Sequence, residues 1–190
     1  MAVDFAAVRE GRASYQEATR DVAPSDLRAL TTQIFDAVDS IVAEATDADV
    51  VFVPVDPAAH DAAAAPGADA DIAWTLGHVV VHLTAGLEEM AARGATLARG
   101  VQAEGRSRYE TPWETVTTAR QVRDRLKESR RMCLAFRDAW PDEPHLDLTV
   151  TPIPPFGPLD AVRMTLVGVF HADGHLDQLR EIIRQARSDE

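Results

Sequence analysis

IAWTLGHVVVHLTAGLEEM, residues 72–90, is the stretch on which the fold class turns. Leu76, Val79, Val80, Leu83, Leu87 and Met90 recur at intervals of one turn, which is the period of a single buried helical face. The row predicts a long helix that starts near Ile72 and is ended by Gly100 and Gly105. Three further amphipathic rows accompany it. Ser25 can cap a helix that carries Leu27, Leu30, Ile34, Val38, Ile41 and Ala45 on one side. Thr111, Pro112 and Glu114 have the spacing of a capping box with proline in the first helical position. The helix predicted after them runs through Val116, Val122, Leu126, Cys133 and Phe136 to Trp140, where Pro141 stops it. The last helix begins near Pro158.

Four long amphipathic helices joined by loops define an all-α protein, a four-helix bundle whose interior has room for a site built from facing helices. Phe5, Val8 and Tyr15 predict a short leading helix that Pro24 would end. Val50 to Val55 reads as a short strand, and the alternating, proline-rich residues His145 to Pro155 as an extended piece that pairs with it. Asp56 to Asp71 is rich in Ala, Pro, Gly and Asp without an apolar period, and is expected to be a surface loop. The 190 residues suffice for one core, so residues 1–190 are expected to form a single domain.

Charge narrows the partners. Thirty-one acidic residues against nineteen basic ones give a formal charge of -12, which disfavours nucleic acid and anionic membrane surfaces. No run approaches the roughly twenty apolar residues of a membrane span, and MAVDFAAVREG lacks the pattern of a signal peptide. The expected compartment is the cytoplasm. With Cys133 as the sole cysteine, a thiolate cluster is excluded, and any metal must be held by His or carboxylates. Cys133 itself falls on the apolar row of its helix and is expected in the core.

The histidines supply the candidate site. In the last helix Met164, Gly168, His171, His175, Gln178 and Ile182 fall on one narrow stripe, beside the apolar row Val162, Leu166, Val169 and Phe170. Both imidazoles therefore point the same way, towards the bundle interior or its mouth. His78 and His82 repeat the four-residue spacing within the opening stretch. A buried imidazole without a partner costs roughly 1 to 3 kcal/mol, so several on core faces imply something that satisfies them. One cation can do so for three. Spacing alone does not choose between His78 and His82 as the third ligand. Gly168 and Gly174 each cost roughly 1 kcal/mol inside a helix and imply a local requirement, either space for a ligand or close helix packing. His60 and His145 fall in predicted loops, and Arg106, Arg108, Arg130 and Arg131 are expected on a solvated face.

Trp74-Thr75-Leu76-Gly77-His78-Val79-Val80-Val81-His82-Leu83 resembles the second-helix signature of DinB-like proteins, a family that includes mycothiol-dependent maleylpyruvate isomerases. His171-Ala172-Asp173-Gly174-His175-Leu176-Asp177-Gln178 is similar to that family's HxxxHxxQ motif. The resemblance covers the chain after Ser25 and implies a four-helix bundle of the DinB type. It also implies one divalent metal ion, zinc foremost with nickel or iron(II) as alternatives, held by His82, His171 and His175. His78 then stands behind the ligands or faces substrate, and is the candidate catalytic residue.

The family includes thiol S-transferases, isomerases and the metal-binding domain of sulfoxide synthases. The isomerase branch usually has Asn where this chain has Gly86 and often Glu where it has His171, and the synthases need a second large domain. The resemblance therefore implies a thiol S-transferase using a low-molecular-weight thiol such as mycothiol, with the thiol and an electrophile as partners and a homodimer as the assembly. The alternatives are a non-catalytic metal-binding or stress-related bundle and a thiol-dependent isomerase.

Overall fold

The structure, a computed structural model, describes residues 3–57, 59, 71–102 and 111–188. Its long helices are α3 (Leu27–Val42), α5 (Leu76–Ala98), α6 (Ala119–Asp138) and α7 (Ala161–Gly174), the last continued by α8 (Leu176–Ala186). The short helices α1 (Phe5–Arg9), α2 (Tyr15–Thr19) and α4 (Asp47–Val51) decorate them. The all-α four-helix reading therefore holds. No helix among the described residues is long and apolar enough to cross a membrane.

α5 is the central element. Leu76 through Ala85 are all buried, so its first turns have no solvent face, as expected of a helix surrounded by others. It packs against α7 on one side and α6 on another. Between α5 and α6 the tie is partly polar: Arg125 donates to Thr84 Oγ1 at 2.9 Å and to Glu88 Oε2 at 3.0 Å. At its far end Gly100 takes a φ of +80°, and Val101 N–H returns to the Thr96 carbonyl. This is the left-handed glycine stop that Gly100 predicted. Gly105 lies outside the described residues.

Several boundaries differ from the sequence reading, each for a local reason. α5 starts at Leu76, not near Ile72, because Thr75 caps it by accepting from His78 N–H. Ser25 is not a cap: it lies within the 3₁₀ turn Pro24–Asp26 that precedes α3. The Thr111, Pro112 and Glu114 signature forms only the 3₁₀ turn Trp113–Thr115. α6 begins later, where Thr118 and Gln121 make the reciprocal capping box that was assigned upstream. The leading helix is two helices, the second opened by a capping box of Ser14 and Glu17.

The predicted strand at Val50 to Val55 does not form. Thr46 accepts from Asp49 N–H and Asp49 returns to Thr46 N–H, which starts α4 and winds Val50 and Val51 into a helical turn. A local cap outweighs the β preference of the valines. The proline-rich piece after His145 accordingly does not pair with it, and makes a single antiparallel bridge, Val150 with Leu159. Most of the predicted loop from Asp56 to Asp71 lies outside the described residues. The last helix begins at Ala161, capped by Asp160, and is interrupted at His175.

Candidate metal centre

Two elements bring the site together. His82 is buried in the second turn of α5, and His171 and His175 end α7. His82 Nε2 lies 2.9 Å from His171 Nε2, and His175 Nε2 lies 3.2 Å from the same atom. The ligating nitrogens of all three fall within 4.8 Å of one another. Two imidazole nitrogens held 2.0–2.1 Å from one tetrahedral ion would be about 3.3 Å apart, so the spacing suits a common divalent cation. A single proton on His171 Nε2 satisfies one of these contacts, whereas a cation takes all three lone pairs. The donor set therefore fits a metal.

The interruption at His175 helps. There the backbone takes φ -93° and ψ -6°, and His175 N–H bonds the Ala172 carbonyl one residue short of helical register. The imidazole stays on the His171 side while α8 sets off from it. Gln178 Oε1 accepts from His175 Nδ1–H at 2.8 Å, which fixes the tautomer and leaves the Nε2 lone pair aimed at the other two rings. The sequence put Gln178 on the stripe and in the motif without a role; its position three residues after His175 was the available signal. Gln178→Ala should lower metal affinity about tenfold, at the weak end of the effect for groups that orient a ligand, with little change in helix content. Competition against a chromogenic chelator measures this.

The glycines divide. A Cβ at Gly86 would sit 2.8 Å from His171 Nδ1, so the absence of a side chain at 86 is what makes room for the ring at 171. The two departures from the isomerase pattern are thus one spatial feature. A Cβ at Gly168 would meet the α5 backbone, 3.0 Å from Leu87 Cα, which decides that glycine in favour of close helix packing. At Gly77 a Cβ would fall 2.6 Å from the Val116 carbonyl, so glycine lets the Trp113–Val116 segment seat on α5. Gly174 meets nothing closer than Arg9 Cδ at 4.0 Å, and neither reading explains it.

That seating builds an aromatic stack. The His78 ring lies between Trp74, with centroids 4.4 Å apart, and Trp113, at 4.7 Å with planes 5° apart. Trp74 also leans on His82 at 4.5 Å and faces His175 at 6.0 Å. His78 is therefore one helical turn from His82 but does not join the three converging imidazoles. Spacing alone left the two interchangeable and the family resemblance chose His82; in the structure the tryptophans hold His78 apart from the cluster.

The remaining candidates fall elsewhere. His145 is exposed, near Asp147, and His60, Arg106 and Arg108 lie outside the described residues. Arg130 pairs with Asp36 and Asp39, and Arg131 with Glu128. Cys133 is buried, and burial pushes its thiol up to about 12, so it is a neutral core group at physiological pH. Iodoacetamide at pH 8 should leave the native protein unmodified and label it once after denaturation. Stoichiometric labelling of the native chain would remove Cys133 from the core.

The sequence profile of the DinB superfamily matches residues 29–179, a span that includes His78, His82, His171 and His175. No curated protein and no solved structure matches the chain.

Proposed function

The chain belongs to the DinB superfamily, whose members commonly bind metal, and from that membership and its own geometry we propose a metal-dependent thiol S-transferase. The observation that carries the reading is the convergence of three Nε2 atoms between α5 and the end of α7, beside a fourth imidazole held between two indoles. His82, His171 and His175 hold one divalent ion, zinc foremost. Three neutral imidazoles suit zinc, and three protein ligands leave a fourth position for a small molecule. Bound there, the ion would supply Lewis acidity towards a low-molecular-weight thiol such as mycothiol.

The chain's own residues do the rest. Gln178 keeps His175 in the ligating tautomer, and Gly86 keeps the space that His171 needs. Trp74 covers the His82 and His175 rings from one side and limits water there. His78 is the base: it takes the thiol proton, the sulfur pair forms the new bond to the electrophile's carbon, and the leaving group departs with its electrons. The indoles on both faces of His78 hold that ring in one plane, which orients its nitrogens.

The test is a matrix of small thiols and alkyl or aryl electrophiles, assayed with zinc-loaded and chelated protein. Thiol consumption should require both metal and His78, and His78→Ala should abolish turnover while metal content stays at one equivalent. Absence of thiol-dependent turnover across the matrix contradicts the transferase reading and leaves a metal-binding bundle.

A further inference from the structure

On the far side of the His171 ring lies a cavity of about 250 Å³ between α5, α7 and the turn at Pro154–Phe156. Met90, Phe156, Val167 and Phe170 make its wall. The wall is held in place by the leading helices: Phe5 packs edge-on against Phe170 at 5.5 Å, and Tyr15 stacks on Phe156 at 4.5 Å. Tyr15 is anchored in turn by its hydroxyl, which donates to the Arg163 carbonyl at 2.8 Å. Rings fixed from behind in this way leave a preformed space, which favours binding because little must be ordered when a ligand enters.

One polar side chain breaks the apolar lining away from His171. Glu89 is on α5, two turns after His82, and its side chain is only 4% exposed. Its Oε1 is buried and receives no hydrogen bond from any described residue. Arg93 Nη1 stands 3.9 Å from that oxygen, close enough to offset the charge and too far to donate. A buried carboxylate oxygen that accepts no hydrogen bond calls for a donor. With one cation already 3.9 Å away, a neutral donor is favoured over a second cation, which would bring its own desolvation cost.

We propose that this cavity is a binding site for a small aromatic molecule bearing one hydroxyl, its ring packed against Phe156 and Phe170 and its O–H donated to Glu89. The volume lies just below the roughly 300–1,000 Å³ of drug-sized sites, so the ligand is a single ring with few substituents. The hydroxyl-to-carboxylate bond is charge-assisted and sets the selectivity, while the ring supplies the apolar contact. Such a ligand lies against one edge of His171 while the other edge faces His82 and His175. The site itself depends only on the cavity, not on the thiol-transfer reading, and its occupancy is measured on metal-free protein.

The test titrates ¹⁵N-labelled, metal-free protein with phenol and, separately, with toluene, which has nearly the same shape without the donor. Phenol should bind saturably, moving the amides of Met90, Val167 and Phe170, and toluene should bind at least about tenfold more weakly. Glu89→Gln keeps the shape of the side chain and should shrink the preference for phenol at least threefold. Val167→Phe fills the cavity and should abolish binding of both. The proposal is overturned if phenol shifts are unsaturable or map elsewhere, if toluene binds as well as phenol, or if Glu89→Gln leaves the preference intact. Should Glu89→Gln fail to fold, the phenol-to-toluene ratio on the unmodified chain and the effect of Val167→Phe still decide.

Discussion

Replacing His82 with Ala should reduce metal affinity by more than about a hundredfold, so that protein purified without chelator carries close to no divalent ion. Loss of an orienting group alone typically costs 10- to 100-fold, and removal of one ligand of three must exceed that. The substitution also strips the cluster of its most buried imidazole, since His171 and His175 are only partly buried. Folding should survive: the helix gains Ala in place of His, and the apolar neighbours Val79, Val81 and Leu83 stay in the core. Metal analysis beside a circular dichroism spectrum separates the outcomes. Full metal occupancy with native helix content would show that His82 is not a ligand. His78→Ala makes the control, because the stacked ring lies outside the cluster and its loss should leave one equivalent of metal in place.

Gly86→Ala should lower metal affinity by about 10- to 100-fold while leaving thermal stability unchanged or slightly higher. The two readouts diverge because they respond to different physics. In the interior of α5 alanine is favoured over glycine by up to about 1 kcal/mol. The added methyl, however, would come within 2.8 Å of His171 Nδ1 and 3.2 Å of Cε1, and contacts that short do not persist. The imidazole is the group that can turn away, and in turning it takes Nε2 off the line to His82 and His175. Isothermal titration of zinc into the variant reads the first effect and a melting curve the second. A variant that binds zinc as tightly as the parent would mean that the His171 ring is not held where the three nitrogens converge.

How much of this was legible in the sequence depends on the range of the interaction. The long helices were, because rows such as Leu76, Val79, Val80 and Leu83 repeat the burial they encode, and all four residues are in the core. The pairing of His171 with His175 was legible for the same reason. Cap identity was not. Thr111 and Thr118 each present an acceptor followed three residues on by a Glu or Gln, and only packing of the Trp113–Val116 segment against Gly77 decides for Thr118. The Val50 segment failed similarly, since a β-prone run of valines also contains the last two residues of the short helix that the Thr46–Asp49 capping box starts. His78 and His82 share a helix face, and it took the stacking of Trp74, just before α5, and of Trp113, from a segment distant along the chain, to separate them. The correspondence of Gly86 with His171 was invisible for want of any local signal, because the two are brought together by the approach of α5 and α7.

Zinc K-edge X-ray absorption of the zinc-loaded protein tests the central claim most directly. Three imidazole ligands at about 2.0–2.1 Å, with a further light atom and no sulfur scatterer near 2.3 Å, is the result expected of His82, His171 and His175. A spectrum with fewer than three imidazoles, or a chain that takes up no zinc to load, would contradict it.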